Sequence, residues 1–397
     1  MTKQSKDSAD SDRGIISGIA MSIRASSPVL FFALAVFFLQ SACGGSSPRL
    51  APLPLTFPLI EEARIACLGP LLPHFVDGPA GLLLITAKSG HLQALDVEKR
   101  VFRWTFSSST ASVPPVVAGD RILFAVDDGT LNGLDATGTK VWERKLEDPV
   151  RGALLLAGNQ LIYRSDGDQL VALNTADGTL RWRIPASVRT DPAIWGDRFV
   201  FGTTDGKVRI VDSEGRSVRI WPLGANAVGR PIILGDRIFI ALEDNRFAAF
   251  ELPAGKMRWS IRLGGIPIAP PAYDGRNLYL VLSTHLTVAI RANRGDLLWW
   301  QPLPGRAAFR PLLENGALLV ASRSPAFLAF IGRSLDPTIA YQADREIATT
   351  PLIRDKFLYL GLNGEEEKTG IVVLLRLEPP VPEIKTTPRT PGEGDLP

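Results

Sequence analysis

Residues 1–20 are polar and show no apolar periodicity. From Met21 the chain reads Met21-Ser-Ile-Arg24-Ala-Ser-Ser-Pro28 and is then unbroken apolar from Val29 to Leu39. That run is too short for a bilayer-spanning helix, which takes roughly 20 residues. A basic start, a short apolar stretch and the small residues Ser41-Ala42 before Cys43 are instead the parts of an export signal. Past residue 70 the pattern changes again, into short runs rich in β-branched, aliphatic and aromatic residues, punctuated by Gly and Asp. One stretch shows the rule: Pro114-Pro-Val-Val-Ala, Gly119-Asp120, Arg121-Ile-Leu-Phe-Ala-Val, Asp127-Asp-Gly129, Thr130-Leu-Asn-Gly-Leu-Asp, Ala136-Thr-Gly138, Lys140-Val-Trp-Glu-Arg-Lys-Leu146. No helical spacing of apolar positions runs through it, so four short strands joined by tight turns are predicted.

The four-strand pattern recurs. Tryptophans stand at Trp104, Trp142, Trp182, Trp221, Trp259 and Trp299, at intervals of 38, 40, 39, 38 and 40 residues. Prolines keep the same period at Pro115, Pro192, Pro231, Pro271, Pro311 and Pro351, with Ala153 near the vacant place. Turn glycines follow them at Gly119, Gly158, Gly196, Gly235, Gly275 and Gly316, and Gly138, Gly178, Gly255 and Gly295 each precede a Trp by four residues. Three markers in one period indicate a repeat architecture. A four-stranded sheet of this size cannot bury both faces alone, and radial stacking solves that problem. Units start near Leu71, Val113, Val150, Arg189, Gly229, Ile268, Phe309 and Thr349. The prediction is therefore an all-β, eight-bladed β-propeller of four-stranded antiparallel blades. The eighth unit meets Pro379-Pro380 before a fourth strand, and Pro cannot donate to a ladder. A strand within 53–68, such as Ala63-Arg-Ile-Ala-Cys67, is expected to complete that blade and close the ring.

The domain plan is a leader over 1–42 with translation starting at Met21, a tether over 43–51, the propeller over 52–378 and a disordered tail over 379–397. The tail is rich in Pro, Thr and Gly. Net charge is +3 with basic residues scattered, which gives no nucleic-acid footprint. Asp120, Asp128, Asp197, Asp205 and Asp236 read as turn residues, and Glu365-Glu-Glu367 reads as a solvated loop. His74, His91 and His285 fall at unrelated positions and make no metal set. Of the two cysteines, Cys67 reads as a small buried hydrophobe. The longer loops, Phe106–Ala111, Gly332–Pro337 and Asn363–Gly370, hold no convergent catalytic groups. Neither catalytic, metal nor cofactor residues are assigned.

Ser41-Ala42-Cys43 resembles a bacterial lipobox, with Gln40 where Leu is usual; the alternative is a plain secretory signal with an incidental Cys. The resemblance implies lipidation of Cys43, and Gly44 after it implies the outer membrane. The pattern Ala172-Leu-Asn-Thr-Ala-Asp-Gly178-Thr-Leu-Arg-Trp182, with partial copies at Ala94-Leu-Asp96…Trp104 and Leu134-Asp135…Trp142, resembles the repeat of pyrroloquinoline-quinone (PQQ) type propellers. It covers roughly 63–377 and implies that the six Trp dock between blades. Enzymes of that kind hold the quinone over a central Ca²⁺ and usually carry adjacent cysteines. No Cys-Cys pair exists here, and the 355 residues from Cys43 onward leave almost nothing beyond the blades. The chain is similar instead to the propeller lipoproteins of the outer-membrane β-barrel assembly machinery. That implies a non-catalytic, monomeric, lipid-anchored binding protein on the periplasmic face, acting within a complex. Its implied partners are an outer-membrane assembly protein or unfolded barrel precursors. A repeat lipoprotein with another partner, and a periplasmic quinoprotein dehydrogenase, are the alternatives.

Overall fold

A computed structural model describes residues 55–331, 336–366 and 368–377. Cys43, the leader, the tether, the tail and most of the Gly332–Pro337 loop lie outside the described residues. The rest forms eight four-stranded antiparallel sheets. In chain order, blades 1 to 7 span 76–107, 116–145, 150–184, 193–222, 227–262, 272–302 and 312–342. Blade 8 takes three strands from 352–376 and its fourth from Ile60–Leu68. That N-terminal strand runs antiparallel to Thr369–Arg376, from Leu68 opposite Thr369 to Ile60 opposite Arg376. The ring is closed by joining the two ends of the repeat array in one sheet.

Closure is visible in the packing. The described core consists of eight clusters, and each lies in the seam between two consecutive blades. The last seam, between blades 8 and 1, holds Cys67, Leu83, Ile85, Leu95, Tyr359, Val372 and Leu374. The middle strands of each blade are buried on both faces; Leu82–Thr86 and Ala317–Ala321 are buried throughout. They therefore read as continuous apolar runs rather than alternating ones. The outermost strands alternate between partial burial and exposure, as in Val101–Ser107.

The Asp of the repeat motif shapes the outer turn. Asp135 accepts the backbone N–H groups of Thr137 and Thr139 at 2.8 and 3.0 Å, and the Thr137 hydroxyl as well. That hydroxyl first, and those amides with it, hold the Asp135 carboxyl below its ordinary range. Asp128 is held at about 2, with Thr130 as the main cause and Ser109 adding to it. These aspartates are turn formers, each folding a side-chain oxygen onto amides two to four residues ahead.

Candidate functional site

Three places in the ring hold residues arranged beyond what a strand requires: the inter-blade Trp pockets, the outer rim and the axis.

At five of the six repeat Trp the residue opposite is small, whereas Trp221 faces Val208. Ala94 faces Trp104, Gly133 faces Trp142, Ala172 faces Trp182, Ala249 faces Trp259 and Ala289 faces Trp299. A Cβ on Gly133 would come within 2.2 Å of the Trp142 ring, so the ring lies flat over its partner. A bulge follows at this point in each of these hairpins and adds local twist to the outer strand. The indole then reaches the next blade. Trp104 lies on Gly138, Trp142 on Gly178, Trp182 on Gly215, Trp221 on Gly255 and Trp259 on Gly295. The indole N–H groups of Trp104, Trp182 and Trp259 donate to the carbonyls of Ala136, Ser213 and Ala292, at 3.0, 2.9 and 3.0 Å, in that same turn. Trp299 stacks on Phe330 of blade 7 with centroids 5.5 Å apart. All six stand on outermost strands; Trp221 and Trp259 are buried, while Trp104, Trp142, Trp182 and Trp299 keep a partly exposed edge.

Trp259 shows what the pocket contributes. It is 9% exposed and packs against Phe239 and Phe247 of its own blade at 5.8 and 6.0 Å. Trp259→Ala is expected to cost about 3–5 kcal/mol, since a buried aromatic is lost and its cavity is only partly refilled. Trp300→Ala, at an exposed Trp on the outermost strand of blade 6, is expected to stay within about 0.5 kcal/mol. Denaturant midpoints of the two variants check this; equal midpoints would mean the ring at 259 carries no packing.

At the rim, six of the eight outermost strands carry Arg, Lys or Glu. The outermost strands of blades 6 and 7, Leu297–Pro302 and Thr338–Gln342, carry no charge. Blade 7 is covered: the Leu59 N–H donates to the Ala340 carbonyl at 2.6 Å, and Leu55 and Leu59 pack beside Tyr341. Blade 6 has no such cover among the described residues, and Leu297, Leu298 and Trp300 stand 48%, 40% and 57% exposed. Proteins ordinarily guard a sheet edge with charge, because its free N–H and C=O groups template further pairing.

At the axis, a cavity of about 510 Å³ is bordered by His74, Asp191, Arg230, Pro270, Arg310 and Thr350, drawn from six blades. Five of them directly precede a repeat Pro: Pro192, Pro231, Pro271, Pro311 and Pro351. The residue before Pro is held extended, and the innermost strand faces no further strand, so it tolerates a missing N–H. Sequence reasoning used the prolines as a ruler and passed over the position before them, which was the available signal for the axial residues.

The axial residues do not fit a metal-bound quinone. Asp191 is the one carboxylate at the cavity, whereas Ca²⁺ takes about six to eight oxygens. Among the described residues no group of three or more His, Cys, Asp or Glu is placed to hold a metal. His74, His91 and His285 are not brought together: His91 pairs with Ser89 at 2.9 Å and His285 sits in a turn with φ +62°. Cys67 is buried and unpaired, and burial pushes its thiol up to about 12.

The sequence profile of the family described as outer membrane protein assembly factor BamB matches residues 88–283 and 243–356. An outer membrane protein assembly factor BamB from Shewanella oneidensis is 24% identical over 311 residues, covering 74% of this chain and 69% of its own. Among solved structures, BamB from Moraxella catarrhalis superposes with a TM-score of 0.65 at 15% identity, over 80% of this chain and 99% of that one. A quinohemoprotein alcohol dehydrogenase from Comamonas testosteroni gives 0.63 at 11% identity, over 85% and 78%. Those two likenesses establish the propeller alone. The profile match separates the families, because it spans more than half of the chain.

Proposed function

This chain belongs to the family of the outer membrane protein assembly factor BamB, and we propose from that premise that it is a non-catalytic scaffold for assembling outer-membrane β-barrels. In this reading it is anchored through a lipid on Cys43, faces the periplasm from the outer membrane, and binds an assembly partner or an unfolded barrel precursor. The observation that carries the reading is the open, uncharged edge of blade 6. An extended apolar chain laid along Leu297–Pro302 would pair with its free backbone groups as a fifth strand, with Leu298 and Trp300 giving side-chain contact. Function then lies on the rim, while the interlocked seams keep the blades rigid. Contacts of this kind are transient, with micromolar affinity, about −8 kcal/mol.

One preparation tests both parts. The protein is purified from the membrane fraction, and its N-terminus and companions are identified by mass spectrometry. An acylated Cys43 at the first position and a co-purifying outer-membrane assembly protein are expected. Trp300→Lys with Leu298→Lys should abolish the co-purification while leaving the melting temperature in place, since both side chains are exposed. A soluble product starting elsewhere removes the anchor, and undiminished capture by the double variant removes the blade 6 edge.

A further inference from the structure

We propose that the open edge of blade 6 takes an extended apolar segment preceded by acidic residues, and that Arg306 and Arg323 receive that acidic flank. The inference rests on the docking edge proposed above and names the chemistry of what docks there. The edge strand Leu297–Pro302 ends in a proline, which donates nothing to a ladder. The chain then runs on through Leu303-Pro-Gly-Arg306. Four residues span at most about 14 Å, so Arg306 stands close beyond the end of the edge.

The backbone sets the two arginines side by side. They are partners in an antiparallel bridge, with the Arg323 N–H donating to the Arg306 carbonyl at 2.8 Å. Gly305 permits the approach, since a Cβ there would come within 2.3 Å of the Arg323 carbonyl oxygen. The Arg323 guanidinium carbon stands 5.9 Å from the ring centre of the buried Phe309. Residues directly opposite in such a pair have Cβ atoms about 4.5–5.5 Å apart, and like charges there repel. Neither arginine forms an ion pair among the described residues. An arriving carboxylate relieves that repulsion.

The acids of this face lie elsewhere. The turns between the second and third strands of blades 2, 3, 4, 5 and 8 carry Asp128, Asp168, Asp205, Glu243 and Glu365. The corresponding turns of blades 6 and 7, Ser283-Thr-His285 and Ser322-Arg-Ser-Pro325, carry none. Blade 1 lacks one too, but its outermost strand is charged through Arg103. On the link from blade 7 to blade 8, Arg64 and Arg345 hold Asp344 at 2.9 and 3.3 Å, and Glu346 pairs with neither Arg306 nor Arg323. Unbalanced positive charge therefore adjoins the one outermost strand that is both uncharged and uncovered among the described residues.

Direction follows from the sheet. The strands of blade 6 pair antiparallel, so a fifth strand continuing the pattern runs from the Pro302 end toward Leu297. The residues it places over Arg306 and Arg323 are those preceding its apolar stretch. Charge there sets register and encounter rate, while contact with Leu298 and Trp300 and the backbone ladder supply the rest. An anionic lipid surface offers charge but no strand. A second copy of this chain brings Arg294 together with Asp296 ahead of the same strand, and so no net negative charge.

Fluorescence anisotropy of the full-length protein with labelled peptides tests it. Three peptides carry a stretch of alternating valine and threonine preceded by four glutamates, four glutamines or four lysines, and a fourth carries the glutamates after the stretch. Leading glutamates are expected to bind about fivefold tighter than glutamines, as two exposed ion pairs allow, with the other two peptides weaker still. High salt should shrink that advantage. Arg306→Gln with Arg323→Gln should erase it and leave the glutamine peptide unaffected, whereas Leu298→Ser with Trp300→Ser should weaken every peptide alike. Should the arginine variant fail to fold, as its melting curve would show, the four peptides on the wild type decide. Equal binding of the glutamate and glutamine peptides, both weakened by the serine variant, keeps the edge and overturns the role of the arginines. Absence of any peptide binding overturns the edge as well. Arginine-dependent capture of phosphatidylglycerol vesicles without a peptide preference, or a dimer that the serine variant dissolves, also overturns the proposal.

Discussion

Deleting residues 1–69 is expected to leave a protein that no longer persists as a soluble monomer. Among the described residues, the strand Ile60–Leu68 is the only partner of Thr369–Arg376 on its outer side. Without it, the sequence Thr369-Gly-Ile-Val-Val-Leu-Leu-Arg376 becomes a long, uncharged edge ending in one Arg, the kind that templates aggregation. The seams on both sides lose members too: Cys67 leaves the one with blade 1, and Leu55 and Leu59 leave the one with blade 7. Polar ties go with them. Glu62 joins Arg376 at 2.5 Å and Arg100 of blade 1 at 3.0 Å, and Arg64 reaches Asp344 at 2.9 Å. Such exposed pairs contribute little individually; the loss that matters is the opened ring. A repeat array depends on each unit's neighbours, so the expected damage is comparable to the whole stability of a domain, about 5–15 kcal/mol. Size-exclusion chromatography and thermal unfolding of the truncated chain, beside the same chain starting at Cys43, make the test. A monomer that melts at the same temperature would show that closure lies elsewhere.

Most of the fold was legible because a propeller is periodic. The Trp, Pro and Gly markers give the unit length, and the Pro379-Pro380 stop after Leu377 points to a strand supplied from the other end. Contacts between units were less legible. Gly255 reads as a turn residue feeding its own Trp259, yet it is also the floor beneath Trp221 of the preceding blade, with φ +71° and no space for a Cβ. Nothing within one repeat announces a contact 34 residues away. The axial set was hidden for a similar reason. Asp191, Arg230, Arg310 and Thr350 share a repeat position but not a residue type, so they form no motif until the ring brings them to one cavity. The rim edge was readable in principle, because Leu297-Leu-Trp-Trp-Gln-Pro302 has no charge. Its meaning came only with the finding that Leu59 covers blade 7 and nothing described covers blade 6.

The largest functional effect is expected in the cell envelope rather than in metabolism. A scaffold docking clients on an open, uncharged edge raises the rate at which several of them are assembled, so its loss should depress unrelated barrels together. An oxidoreductase would leave them unchanged and remove one oxidation. The most direct measurement is quantitative proteomics of the outer membrane in a strain lacking the gene, complemented with the wild-type chain or with Leu298→Lys, Trp300→Lys. The account predicts that several β-barrel proteins fall together and recover with the wild type but not with the double variant. Unchanged barrel levels, accompanied by the loss of an alcohol or sugar oxidation, would contradict it.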